Sequence, residues 1–285
     1  LGELGDPPPA GRLACLGRMV LDLADIVRGA RPPRHGDESL TLELAACAGL
    51  ATHAYYLRSE VLFGLASSLR CIVQSEAAGR PGLAAQCVSQ AGYLAGTVGF
   101  HRVAARSFRR AREMRHAADP NVFGGSMYFE AMYHTAQGNW DEAVALARDS
   151  LALLSSLGNR QEAEIAGAIV ANSLYYQGRF AQSFEYCEQI RDSATVRGND
   201  HHAAWGWFLG GRALMGLGRL DEATLRLERG FTMLASLDDV LSRIMCAGSL
   251  ARTYLYAGRV ADAERTALGL EQDIRSQPAF FLVQC

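Results

Sequence analysis

Gly138-Asn-Trp-Asp-Glu-Ala143 recurs as Gly178-Arg-Phe-Ala-Gln-Ser183, Gly218-Arg-Leu-Asp-Glu-Ala223 and Gly258-Arg-Val-Ala-Asp-Ala263. The four glycines lie 40 residues apart each time, and a degenerate copy, Gly99-Phe-His-Arg-Val-Ala104, sits 39 residues before the first. A fixed period of this size is the signature of a repeat architecture. Each position has a physical task. Gly ends one helix, because a left-handed residue there costs it nothing. The next residue opens the following helix, with Asn139 as a good N-cap. The large apolar residue (Trp140, Phe180, Leu220, Val260) wedges into the hairpin. Asp141, Glu142, Asp221, Glu222 and Asp262 face the positive end of the helix dipole. The small residue (Ala143, Ser183, Ala223, Ala263) lets two helices approach closely.

Outward from the turns the pattern stays helical. Ala143, Leu146, Ala147, Leu151 and Leu154 recur at i, i+3, i+4 spacing. Leu157-Gly-Asn159, Val196-Arg-Gly-Asn199 and Leu237-Asp-Asp239 read as second, short turns. The spacing predicts first helices near 82–97, 120–136, 160–176, 200–216 and 239–256. Second helices follow near 101–117, 140–156, 180–196, 220–236 and 260–275. Upstream, 40–57 and 60–78 form a hairpin without the turn motif, and 11–28 an amphipathic helix. The predicted fold is an all-α, right-handed superhelical solenoid of antiparallel helix hairpins. The predicted organisation is a linker with a connecting or capping helix (1–38), a degenerate hairpin (39–80), five helix pairs (81–279), and the start of another helix (280–285). The missing initiator Met and the apolar 280–285 are read as signs of a piece cut from a longer protein.

Composition narrows the chemistry. The net charge is −2, so no global field draws nucleic acid or an anionic membrane. No apolar run approaches the roughly 18 residues of a membrane-spanning helix. All 28 basic residues are Arg, which excludes a Schiff-base, P-loop or kinase-type lysine within the chain. The cysteines (15, 47, 71, 87, 187, 246 and 285) form no C-x-x-C pair and read as small core residues of a reduced, cytoplasmic protein. His201-His202 reads as a solvated pair at a helix N-terminus, not a metal site. The Arg106–Arg115 stretch spreads its charges over more than one face. No nucleophile motif, cofactor site or metal site is expected, and Gly206–Gly218 reads as close helix packing.

The Gly-x-aromatic/aliphatic-x-x-Ala turn resembles the tetratricopeptide consensus, with Gly211 at the family's helix-A glycine and Ala131, Ala171 and Ala251 replacing it elsewhere. The 40-residue period is longer than the family's usual 34 or so. It is similar to the long-helix variant of the maltose-regulator class of signalling ATPases. Leu1-Gly-Glu-Leu-Gly-Asp-Pro-Pro-Pro-x-Gly-Arg-Leu13, a helix and then the array look like the region after the AAA-type ATPase domain of bacterial signalling proteins. Those carry a class III nucleotide cyclase or a protein kinase domain.

What the resemblance implies is a non-catalytic regulatory module whose first helices line a concave binding face. Groove positions carried over from the family are Tyr93 and Thr97, then Tyr128, Met132 and Thr135, then Asn172, Tyr175 and Tyr176. Trp205, Phe208, Arg212 and Met215 follow, and then Met245, Arg252 and Tyr256. Tyr, Trp, Met and Arg anchor interfaces, and Arg212 and Arg252 one repeat apart suit a carboxylate-bearing peptide. The expected partner is a protein or peptide, including another domain of the same chain. A small-molecule effector inside the solenoid and a scaffold of a biosynthetic pathway are the alternatives; membrane and nucleic-acid partners are not expected.

Overall fold

The computed structural model describes residues 11–28, 38–57, 60–237 and 239–275. Among these, all regular structure is helical: α1 (Arg12–Arg28), α2 (Glu38–Leu57), α3 (Val61–Ala77), α4 (Ala85–Thr97), α5 (His101–Glu113), α6 (Pro120–Ala136), α7 (Trp140–Ser156), α8 (Arg160–Tyr176), α9 (Phe180–Val196), α10 (Asp200–Gly216), α11 (Leu220–Ser236), α12 (Val240–Tyr256) and α13 (Val260–Arg275), with a short 3-10 turn at Pro81–Ala84. The fold is an all-α solenoid of helix hairpins. Residues 280–285 lie outside the described residues.

The period is finer than the sequence motif. Gly138, Gly158, Gly178, Gly198 and Gly218 all have positive φ and stand 20 residues apart. Each caps a 17-residue helix. The cap is a Schellman motif. After α8, Gly178 N–H donates to Tyr175 O (3.0 Å) and Arg179 N–H to Leu174 O (2.9 Å). The same pair of bonds recurs at Gly138, Gly158, Gly198, Gly218 and Gly258. From α6 to α12 every helix therefore has the same length of 17 residues, and equivalent residues return at equivalent heights.

The caps differ from the expectation in one respect. Asn139 takes the N-cap position of α7, but its side chain accepts no capping bond. The side-chain caps stand on the other turns, where Asn159, Asn199 and Asp239 accept from Glu162, His202 and Ser242 N–H. Thus α8, α10 and α12 start with a side-chain cap, while α7, α11 and α13 carry acidic residues in their first turns and α9 has neither.

The described chain divides into two compact units, with the boundary inside α6 at Glu130/Ala131. In the first, α3 packs on α1 and α4, and α4 on α5. Its core joins Ala48, Leu69, Ile72, Cys87, Val88 and Ala111. The α-helical part of the first pair is shorter than predicted. Gly82 lies against the Ala117 backbone, leaving no room for a side chain, and the segment folds as the 3-10 turn instead.

In the second unit, successive helices from α7 to α13 pack in antiparallel pairs, and α10 also touches α8 and α12. Ala143, Ser183 and Ala223 are fully buried at the hairpin crossings, as the motif requires. The bulky residue packs in its own hairpin in two copies, Phe180 against Tyr175 (5.4 Å) and Leu220 against Leu214 and Met215. Phe180 lies under Gly216 at the end of the next first helix, and Trp140 stacks on Tyr176 at the end of α8 (6.1 Å, 16°). Val260 has no described helix end ahead of it and is 60% exposed.

The glycines of α10 are packing residues. A Cβ on Gly206 would sit 2.7–2.9 Å from the Cβ, N and Cα of Arg191, whose backbone cannot swing away. Gly248, on α12, has only the flexible Leu270 end at 3.6 Å. Gly206→Ala is expected to destabilise by about 1–3 kcal/mol. Gly248→Ala is expected to be neutral or stabilising by up to about 1 kcal/mol through helix propensity. Urea-denaturation midpoints of the two variants check the contrast; equal shifts would contradict the packing described.

Candidate partner-binding face

The groove positions fall into three environments. In the first unit, Tyr93 and Tyr128 are core residues, not surface ones. Tyr93 leans on Phe129, and the Tyr128 ring lies tilted against Phe129 while its hydroxyl accepts from Gln86 Nε2 (2.8 Å). Thr97 is half-buried and donates to Leu94 O.

In the second unit, Phe208, Arg212 and Met215 are buried. Met132, Thr135, Asn172, Tyr175, Trp205 and Met245 are half-buried. Tyr176 (40%), Tyr256 (62%) and Arg252 are exposed. Burial at these positions has one cause. Each first helix leans on the next, as α8 on α10 and α10 on α12, and side chains on the shared flank become contacts between helices. The exposed members stand at the helix C-terminal ends, near the hairpin turns.

Asn172 and Arg212 meet directly. Arg212 Nη1 donates to Asn172 Oδ1 at 2.9 Å across the α8–α10 contact. The Arg212 guanidinium also lies over Tyr175 (4.2 Å to the ring centre), Tyr176 (5.4 Å) and Phe208 (5.6 Å). Such contacts attract the cation to the ring faces. Arg212 is also felt by two buried thiols. Burial pushes Cys187 up to about 12 and Cys246 higher still, and the arginine charge opposes both shifts.

Trp205 is a tie between repeats. Its Nε1 donates to Asp239 Oδ2 (2.9 Å) and Ser242 Oγ (3.1 Å) on the N-terminus of α12. His201 shares the same carboxylate oxygen (2.8 Å), and His202 stacks on the indole (4.7 Å, 12°).

The histidine pair is therefore not solvated, contrary to expectation. His202 is buried, and its Nδ1 lies 2.7 Å from Glu164 Oε2 on α8. An ionised carboxylate only accepts, so Nδ1 carries the proton. Glu164 also takes Ser193 Oγ (2.6 Å) and Arg197 Nε (3.0 Å) and Nη2 (2.5 Å). Burial would raise its carboxyl, but the bonds from Arg197, Ser193 and His202 outweigh it and hold it low. Burial pushes His202 down to about 4 despite its carboxylate partner. Asp239 is likewise buried, yet His201, the Ser242 N–H and Trp205 hold it low.

Sequence reading missed this network, but a signal was present. The partners are spaced by 38 residues in Thr135–Ser173, Glu164–His202, Glu188–Arg226 and His201–Asp239, and by 40 in Asn172–Arg212. Polar pairs at close to one repeat length mark contacts between equivalent helices.

The arginines of α5 are largely spoken for. Arg110 pairs with Glu76, Arg112 with Glu130 and Arg109 with Glu113, while Arg115 lies over Phe123. Among the described residues, no group of three or more His, Cys, Asp or Glu is placed to hold a metal ion, and no helix is long and apolar enough to cross a membrane.

Residues 131–154, the end of α6 through most of α7, match the family described as tetratricopeptide repeat. Solved structures share the fold at low identity. A Rap protein complexed with competence and sporulation factor aligns with a TM-score of 0.63 at 13% identity, over 83% of this chain and 76% of that one. Aspartyl phosphate phosphatase F from Bacillus subtilis aligns at 0.63 and 14%, over 95% and 73%. BtubC from P. vanneervenii aligns at 0.57 and 15%, over 83% and 91%. No curated protein matches the chain by sequence. The match and the shared fold support a tetratricopeptide-type repeat region.

His202 sets a pH dependence of stability. Its folded value, about 4, lies below its ordinary 6.5, so the unfolded chain binds the proton more readily. This contribution is full above pH 6.5 and is lost as pH falls toward 4, amounting to about 3 kcal/mol at the limit. Glu164 and Asp239, held low, add losses only as pH falls below the ordinary carboxylate range. His202→Gln is expected to flatten the decline between pH 6.5 and 4 in urea midpoints. Parallel pH profiles for the two proteins would contradict the assignment.

Proposed function

We propose that this chain is a non-catalytic protein-interaction module that binds a peptide or a neighbouring domain on the face of its first helices. The observation that carries the reading is the row of exposed side chains at the ends of α8 and α12: Tyr176, Arg252 and Tyr256. Beside it, Trp140 is 37% exposed and stacked on Tyr176. Large aromatics and Arg at a surface are the residue types that anchor partners. The tetratricopeptide match supports the same reading, as does a similarly folded Rap protein that is complexed with competence and sporulation factor. The finer proposal makes it the cytoplasmic regulatory arm of a bacterial signalling ATPase or nucleotide cyclase. It rests on the resemblance of 1–13 and of the 40-residue period.

The groove positions divide by role under this reading. In the second unit Phe208 and Met215 shape the wall from within, and Trp205 fixes α10 to α12; Tyr93 and Tyr128 support the core of the first unit. Tyr176, Arg252 and Tyr256, with Met132, Asn172 and Met245 beside them, meet the partner.

Peptides selected from a displayed random library against the whole chain test this. Selected peptides are expected to bind roughly tenfold or more weakly to an Arg252→Glu, Tyr256→Ala double variant, with unchanged binding to Leu225→Ser, an exposed position on α11. Equal binding to the double variant, or loss with Leu225→Ser alone, would contradict the placement.

A further inference from the structure

Two thiols of the first unit meet inside its core. Cys71 on α3 and Cys87 on α4 are 4% and 6% exposed and belong to one apolar cluster. Gly49 on α2 marks where they converge. A Cβ there would have Cys87 Sγ at 3.8 Å and Cys71 Sγ at 3.9 Å. The Cys87 thiol donates to the Cys71 sulfur. Ser75, one helical turn on from Cys71, is fully buried, and its hydroxyl faces the same sulfur. That hydroxyl has no other hydrogen-bond partner among the described residues.

The other buried sulfurs of the described residues are arranged differently. Cys246 Sγ donates to Leu227 O (3.4 Å), Cys15 Sγ donates to Leu62 O (3.7 Å), and Cys187 lies beside the Ser183 hydroxyl. An oxygen is the better acceptor, and a sulfur is a weak one. Turning two thiols toward each other therefore stabilises the fold little beyond the packing of two small apolar residues. What the arrangement makes available is a covalent bond.

We infer that Cys71 and Cys87 are the site of a reversible intramolecular disulfide, formed by exchange with a low-molecular-weight disulfide such as oxidised glutathione. The bond would pin α3 to α4 across the Gly79 turn and the 3-10 turn at Pro81–Ala84. That is where the upstream hairpin joins the first repeat pair. The inference is independent of the partner-binding face. The exchange runs in two steps. Cys71, as the thiolate, attacks one sulfur of the small disulfide, forms a mixed disulfide and releases one small thiolate. Cys87 then gives up its proton, attacks the Cys71 sulfur and releases the second. Two protein thiols are oxidised to one S–S bond, one small disulfide is reduced to two thiols, and the protons end on those thiols.

The hydrogen bonds set the order of attack. The bond from Cys87, with help from Ser75, outweighs burial and holds the Cys71 thiol below its ordinary value. Donation to Cys71, together with burial, pushes Cys87 well above it. The thiol that ionises more readily is the nucleophile. Both sulfurs are interior, so the small disulfide enters through a local opening of the first unit. Once the bond has closed, the same core shields it from reductants.

The experiment treats the whole folded chain with oxidised glutathione, alkylates the remaining thiols and maps the tryptic peptides by mass. Pro81 blocks cleavage after Arg80, so residues 71–102 leave as one peptide whose two cysteines are Cys71 and Cys87. That peptide is expected to lose two hydrogens and to escape alkylation, and a reductant is expected to restore it. Closure is expected to run roughly tenfold or more faster than glutathione addition at Cys187 or Cys246. The oxidised protein is expected to melt higher than the reduced one. Cys71→Ser and Cys87→Ser proteins are expected to show no such shift on oxidation. Full alkylation of peptide 71–102 from the folded protein would overturn the inference, as would a bond from either cysteine to Cys47. A bond that forms only in denaturant, or an oxidised protein that melts lower than the reduced one, would overturn it as well.

Discussion

A left-handed glycine after α7, α8, α9, α10 and α12 governs the second unit. A longer helix would carry the next turn out of step. The Schellman bonds close each helix at one height, and the three-residue link reverses the chain. Constant length makes equivalent residues neighbours across repeats. That is why bonds between first helices recur at spacings of 38 to 40 residues. Side chains at those heights become part of the packing between helices.

The packing has an electrostatic consequence. Stacked first helices bury the flank on which a repeat protein would place polar groups. Most of those groups are satisfied by cross-repeat partners, as in the Glu164–Arg197–His202–Ser193 cluster. The cluster fastens α8, α9 and α10 and makes the interface sensitive to acid. Arg212 breaks the rule on the same flank. Its hydrogen-bond partner is the neutral amide of Asn172, whereas Arg226, which lies over Phe184 and Trp207, is paired with Glu188.

The helices were legible because glycine punctuates them. From α6 to α13 the boundaries fall within a residue of those predicted, since the αL requirement ties the ends of α6 to α10 and of α12 to one residue type. The boundaries near Pro81 and Glu113 were less legible, because Gly82 is fixed by a tertiary contact with Ala117 that no local pattern announces. Burial along the first helices was not legible either. The family register says that Tyr128, Phe208 and Arg212 share a face, but not that the neighbouring helix covers it. His202 shows the same limit: at a helix N-terminus it looks solvated, and only Glu164, from the preceding repeat, reveals that it is interior. Trp140 looked like a wedge and proved to be a surface ring stacked on the following repeat.

The most direct test of this account is the spacing of successive repeats. Ser156, Val196 and Ser236 end α7, α9 and α11 and are all exposed. Spin labels placed pairwise at these positions report the displacement from one second helix to the next. The account predicts equal distances for 156–196 and 196–236, and a 156–236 distance about twice the single step. Unequal single steps, or a 156–236 distance no longer than either, would contradict a regular stack and with it the column that joins Asn172 to Arg212.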